Sequence, residues 1–291
     1  GKAGTSVAIT NATLALTANA TVARKLDLMG NTATINTATG TASSITDIIS
    51  GTGQLVKTGT GSLTLMGENT YEGGTVVNDG TLAISQDANL GKAGTSVAIT
   101  NATLALTATT TVARKLALTG DTATINTVTD TTSSITDIIS GTGQLIKTGA
   151  GSLTLTGTNS YEGSTVVNDG TLAISSDANL GLAKTDVEIN NATLALTANA
   201  TVARKLDLTG NTATINTATD TTSSITDIIS GTGQLVKTGT GSLTLTGTNS
   251  YEGGTVVNNG TLAINQDANL GKAGTNIAIN NATLALTDSI T

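Results

Sequence analysis

Cysteine, histidine, proline, tryptophan and phenylalanine are all missing from this chain. Without cysteine there is neither a disulfide framework nor thiol chemistry. Without histidine as well, the usual zinc ligand sets and nucleophile–histidine pairs cannot be assembled, and no metal or cofactor is expected. The only aromatics are Tyr71, Tyr161 and Tyr251. A compact globule of 291 residues normally fills its centre with large rings, so that architecture is disfavoured. Charge is sparse too, with 13 Lys+Arg against 20 Asp+Glu and a net charge of −7. Neither phosphate neutralisation nor base stacking has its residues, which argues against nucleic acid as a partner. No apolar run approaches the length of a membrane span, so membrane insertion by this segment is not expected. With 37% hydrophobic and only 11% charged residues, the chain is nevertheless too apolar for ordinary disorder.

What the chain does have is repetition. Residues 1–90, 91–180 and 181–270 are three copies of one unit, and 271–291 begins a fourth. Such a period marks an array and takes precedence over any local motif. The copies agree at Leu14, Leu16, Leu26, Leu28, Ile35, Ile45, Leu55, Leu63, Leu65, Leu82 and Ile84, and vary at pairs such as Asp27/Ala117, Glu68/Thr158 and Ala8/Glu188. They conserve an inward row and change the skin. Opening and closing in mid-pattern, the sequence reads as one continuous fragment, 1–291, of a longer protein.

Within each copy the pattern is strand, glycine corner, strand. Ser62-Leu63-Thr64-Leu65 and Thr81-Leu82-Ala83-Ile84 alternate with period two, and Gly59-Thr60-Gly61, Gly73-Gly74 and Asn78-Asp79-Gly80 punctuate them. Leu14, Ile35, Leu63, Leu82 and Leu104 recur every two dozen residues or so, the length of a β-helix coil. The expected fold is all-β: a parallel β-helix (β-solenoid) with about four coils per 90-residue repeat, right-handed by the usual preference of parallel connections. Thr32–Thr39 is expected to contribute Asn and Thr ladders on the outside. Ser44–Gly51 carries a helix-like spacing and a Ser-x-x-Asp cap, but its β-branched residues favour strand.

The blocks Gly53-Gln-Leu55-Val-Lys57-Thr-Gly59-Thr-Gly61-Ser-Leu63-Thr-Leu65 and Gly67-Glu-Asn69-Thr-Tyr71-Glu-Gly73-Gly74-Thr75, followed by Gly80-Thr81-Leu82, resemble the autotransporter-associated β-strand repeat, also called the passenger-associated transport repeat. The resemblance covers 40 residues of each 90; Ser164 departs from it, in place of the second glycine of the pair. It implies a right-handed β-helix in the passenger of a type V secreted protein, displayed on a bacterial surface or released. That implies a non-catalytic stalk or adhesive segment whose partner is a host-cell or matrix ligand. A self-association module, pairing its polar ladders and aggregating cells, is the alternative. A carbohydrate-active enzyme stands third.

Candidate site residues are few. Tyr71, Tyr161 and Tyr251 offer a sugar-stacking platform or, on the plainer reading, a ring packed over the Gly-Gly corner. Asp47, Glu72, Asp79 and Asp87 recur every 90 residues, whereas a catalytic pair belongs to one coil; they read as solvated faces and Asx corners. An enzyme needs acids without counterparts in the other copies, and none is identified. Lys57, Lys147, Lys237 and the Arg24-Lys25 pairs read as solvated charges. Gly51-Thr-Gly53 lacks the remaining elements of a phosphate loop.

Overall fold

The structure, a computed structural model, describes residues 5–287. Its contacts fall into two compact units, residues 1–145 and 146–291, and each is described by itself. Both are parallel β-solenoids, and every ladder given below is parallel.

In the first unit three faces rise together. One begins with Val7–Thr10, Leu26–Met29 and Ile49–Gly51. The next stacks Thr13–Leu16, Thr32–Thr37, Gln54–Thr58, Thr75–Val77, Val97–Ile99, Leu116–Leu118 and Ile139–Gly141. The third stacks Thr21–Val22, Ala42–Ile45, Ser62–Leu65, Thr81–Ile84, Ala102–Leu106 and Thr122–Thr127. Ser44–Gly51 is thus strand at both ends, as its β-branching implied. The first face continues through irregular chain: Thr70 and Glu72 amides donate to Ile49 and Gly51 carbonyls, and the Lys92 amide to the Tyr71 carbonyl. A short 3-10 turn, Asp87–Leu90, belongs to this stretch and was not foreseen from the sequence.

Alternation places the inward row as expected. Leu63 lies opposite Leu82, which lies opposite Leu104, and all three are fully enclosed. Leu14 is half-buried on the first coil, whereas its counterparts Leu104 and Leu194, each covered on both sides, are completely buried. Burial in this fold is conferred by the neighbouring coil. Outward residues form the hydroxyl and amide ladders: Asn36 Nδ2 donates to Thr58 Oγ1 at 3.1 Å, and the Thr39 and Thr60 hydroxyls meet at 2.7 Å.

One register feature refines the estimate of four coils. Val97–Ile99 is the second copy of Val7–Thr10, yet it stacks on Thr75–Val77 in the second face rather than in the first. The second unit repeats the shift: Val187–Ile189 stacks beside Thr165–Val167, but its next copy, Ile277–Asn280, stacks on Thr255–Asn258 in the following face. Each 90-residue repeat therefore closes four coils and advances one face further.

Replacing Leu82 by alanine removes an enclosed side chain that touches both neighbouring coils and is expected to cost about 2–5 kcal/mol. Thr64→Ala, on the outer side of the adjacent strand, is expected to cost under about 1 kcal/mol. Urea denaturation midpoints of the two variants check the contrast.

Candidate functional site

The most elaborate local structure lies where each repeat meets the next. The Asn69-Thr70-Tyr71-Glu72 segment crosses the first face, and the 3-10 turn follows one coil later. Asn69 holds them together: its Oδ1 accepts from the Ile49 amide at 2.8 Å and its Nδ2 donates to the Asn89 carbonyl at 2.6 Å. Asn89 reciprocates, donating to the Gly67 carbonyl at 2.9 Å while its Oδ1 accepts from the Ser85 amide at 3.0 Å. Both side chains are buried, so these bonds replace the water that such a corner excludes.

Tyr71, Tyr161 and Tyr251 are fully enclosed. The Tyr71 hydroxyl meets Thr75 Oγ1 at 2.7 Å, and burial raises its pKa beyond the usual tyrosine range. No face of the ring is available to stack on a sugar. Nor does the ring sit on the Gly73-Gly74 corner: its partner is Gly91, on the next coil, where an added Cβ would lie 2.7 Å from Tyr71 Cε2. Gly91 also has φ of +84°, so the position excludes a side chain twice over.

The cations are placed differently from the sequence reading. Lys57, Lys147 and Lys237 are fully buried rather than solvated. Lys57 Nζ donates to the carbonyls of Thr58, Gly59 and Asp79 at 3.0, 2.6 and 3.1 Å, which uses all three of its protons. Burial pushes its pKa down to about 8, against the pull of the Asp79 carboxylate. Arg114 and Arg204 are equally enclosed. Arg114 makes a two-pronged bond to Asp87, Nε to Oδ1 and Nη2 to Oδ2, each at 2.8 Å. Asp87 is therefore an ion-pair partner, not a solvated acid. The alternation itself carried this information, since Leu55 and Lys57, or Val112, Arg114 and Leu116, are two residues apart on strand-like chain and point the same way.

Outside this corner runs an open groove of about 750 Å³, lined among others by Ile48, Glu68, Thr70, Glu72, Lys92 and Ala93. The second unit has a counterpart of about 440 Å³ beside Asp177, Leu182 and Arg204. Lys92 pairs with Glu72 at 3.0 Å, both half-exposed or more. Asp47 caps its own corner, accepting from the Ile48 amide at 2.8 Å. Contrary to the sequence reading, one acid has no counterpart: Glu188 stands where the other copies have Ala8, Ala98 and Ala278, opposite Asp207 on the next coil. Both carboxylates are engaged by hydroxyls, Glu188 by Thr209 at 2.8 Å and Asp207 by Ser230 at 3.2 Å. Among the described residues no group of three or more acids is placed to hold a metal ion, and no helix is long and apolar enough to cross a membrane.

Fold and corner together define a parallel β-solenoid made of tandem 90-residue units, each closed by the same polar junction. The passenger-associated-transport-repeat model matches at residues 55–84, 145–174 and 235–264, so the chain carries three of these repeats. The chain is also similar to the Adhesin BmaC autotransporter of Brucella suis biovar 1 (strain 1330), at 43% identity over 189 residues. That match takes in 60% of this chain and 6% of the relative, so the chain spans only a small part of that protein's length. No solved structure matches.

Two predictions follow from the corner. Gly91→Ala is expected to destabilise by about 2–4 kcal/mol, from positive φ and the clash with Tyr71. Tyr71→Phe, which removes only the hydroxyl bond, is expected to cost about 1 kcal/mol; thermal unfolding separates them. The lysines make stability depend on pH with a definite sign. Their folded pKa, about 8, lies below the ordinary value of 10.5, so between those values the unfolded chain binds more protons. Stability is therefore expected to rise from pH 8 toward 10 and to be lost as pH falls back through 8. Above about pH 10 the buried tyrosines reverse the trend, because their folded pKa values are raised, that of Tyr251 to about 12. Melting temperatures across this range should show the rise in the wild type and lack it when Lys57, Lys147 and Lys237 are all methionine.

Proposed function

We propose that this chain is a stiff repeat segment of a bacterial passenger protein, displayed on the cell surface or secreted, that carries or forms an adhesive surface. The observation that carries this reading is the threefold recurrence of a passenger repeat on a solenoid with an invariant core, in a chain similar to part of an autotransporter adhesin. A ladder of parallel strands over a Leu/Ile column resists bending, and a repeated outer face offers many weak contacts at once. The role is non-catalytic. The acids of the groove are committed to Arg114 and Lys92, which leaves the groove suited to contact rather than proton transfer. Its partner is a host-cell or matrix ligand.

Beads coated with the chain test the proposal. Attachment to host cells or matrix is expected, and it should be lost when outward ladder residues such as Asn36, Thr39, Thr58 and Thr60 become alanine while the circular dichroism spectrum stays unchanged. Beads that clump in the absence of cells would move the partner to a second copy of the chain. Beads that neither attach nor clump would sink the adhesive role and leave a spacer.

A further inference from the structure

The arginine corner occurs in two complete copies. Besides its bond to the Asp87 carboxylate, Arg114 donates to the Asp87 carbonyl at 2.9 Å, the Leu90 carbonyl at 2.9 Å and Thr95 Oγ1 at 2.9 Å. Arg204 does the same to Asp177 at 2.8 and 3.0 Å, to the Leu180 carbonyl at 2.8 Å and to Thr185 Oγ1 at 2.8 Å. In each case the guanidinium comes from the residue 27 positions beyond the aspartate, within the following repeat.

The third copy presents the same acceptors. Asp267–Leu270 forms the same 3-10 turn, and Gly271 leaves it at φ 84° and ψ −154°, against 84° and −162° at Gly91. Asp267, Leu270, Gly271, Lys272 and Thr275 border a pocket of about 30 Å³, more than a single water needs. The nearby ammonium of Lys272 is directed elsewhere, to Glu252 at 3.1 Å.

We propose that this pocket is a guanidinium-binding site. Carboxylate, carbonyls and hydroxyl converge there on a planar group with five donors. A lysine ammonium has three donors on a single atom and cannot reach them all. The guanidinium comes either from an arginine of a following repeat in a longer chain or from Arg24 of a second copy, which occupies the same repeat position as Arg114 and Arg204. The second source is a head-to-tail contact, and such contacts propagate into open assemblies.

Titration of the isotope-labelled chain with N-acetyl-L-arginine methylamide, followed by backbone amide resonances, tests the site. Shifts are expected at residues 267–275 and not around Asp87 or Asp177, where the protein's own arginines sit. Asp267→Asn should weaken binding at least about tenfold, Thr275→Val should weaken it less, and the lysine analogue should produce no comparable shifts. Absence of shifts, equal shifts with the lysine analogue, or unaltered binding by Asp267→Asn would overturn the proposal. Sedimentation velocity then distinguishes the sources. Concentration-dependent association lost in both Arg24→Gln and Asp267→Asn assigns the guanidinium to a second copy. A monomer that binds the arginine probe assigns it to a following repeat.

Discussion

Leu63 under Leu82 under Leu104 is the contact on which this protein depends, repeated along each unit. A single coil has one apolar side and no second layer to cover it, so its burial comes wholly from the coils above and below. The half-buried Leu14 beside the enclosed Leu104 shows the effect with the same side chain in the same local sequence. The parallel ladder makes this contact repeatable, because it holds equivalent residues of consecutive coils in register at about 4.8 Å. A stack so narrow accommodates leucine, isoleucine, valine and alanine, and leaves the three tyrosines to specialised corners.

Turning the chain through three faces creates a cost that the apolar column cannot meet. At each corner carbonyls and amides leave the ladder while still shielded from water, and an unpaired polar group there costs several kcal/mol. The repeat answers with long donors. Lys57 gathers three carbonyls at one corner, Arg114 ties the 3-10 turn at another, and Asn69 and Asn89 link two coils by mutual bonds. These buried charges are hydrogen-bonded on all sides, the condition under which burial of a charge is tolerated. They also join different parts of the sequence: Arg114 belongs to the second repeat and closes the corner of the first.

The advance of one face per repeat has a consequence for display. If a repeat closed on four whole coils, every copy of a surface feature would lie on one side, and near-identical faces would line up into a long stripe. Instead, Val187–Ile189 and Ile277–Asn280 occupy different faces of the second unit. Successive copies of the junction come out in different directions. A surface built this way can be approached from more than one side, which suits a stalk whose partner arrives without fixed orientation.

The sequence alone determined the strands, the inward row, the parallel solenoid class and the repeat boundaries. These follow from period-two alternation and from identity at 90-residue spacing, which need no distant contact to be read. It also pointed inward at Lys57 and Arg114, since each lies two residues from a buried aliphatic, but their charge argued for solvent. Only the tertiary structure decided between the two, because a cation is tolerated inside when carbonyls from neighbouring coils converge on it, and that convergence joins Lys57 to Asp79 and Arg114 to Asp87 across more than twenty residues. The same holds for Tyr71, whose neighbour is set by the coil length to be Gly91 and not the adjacent glycine pair. The extra face per repeat was likewise beyond the sequence, since it depends on two irregular segments, Asn69–Glu72 and the 3-10 turn, each taking the place of a strand.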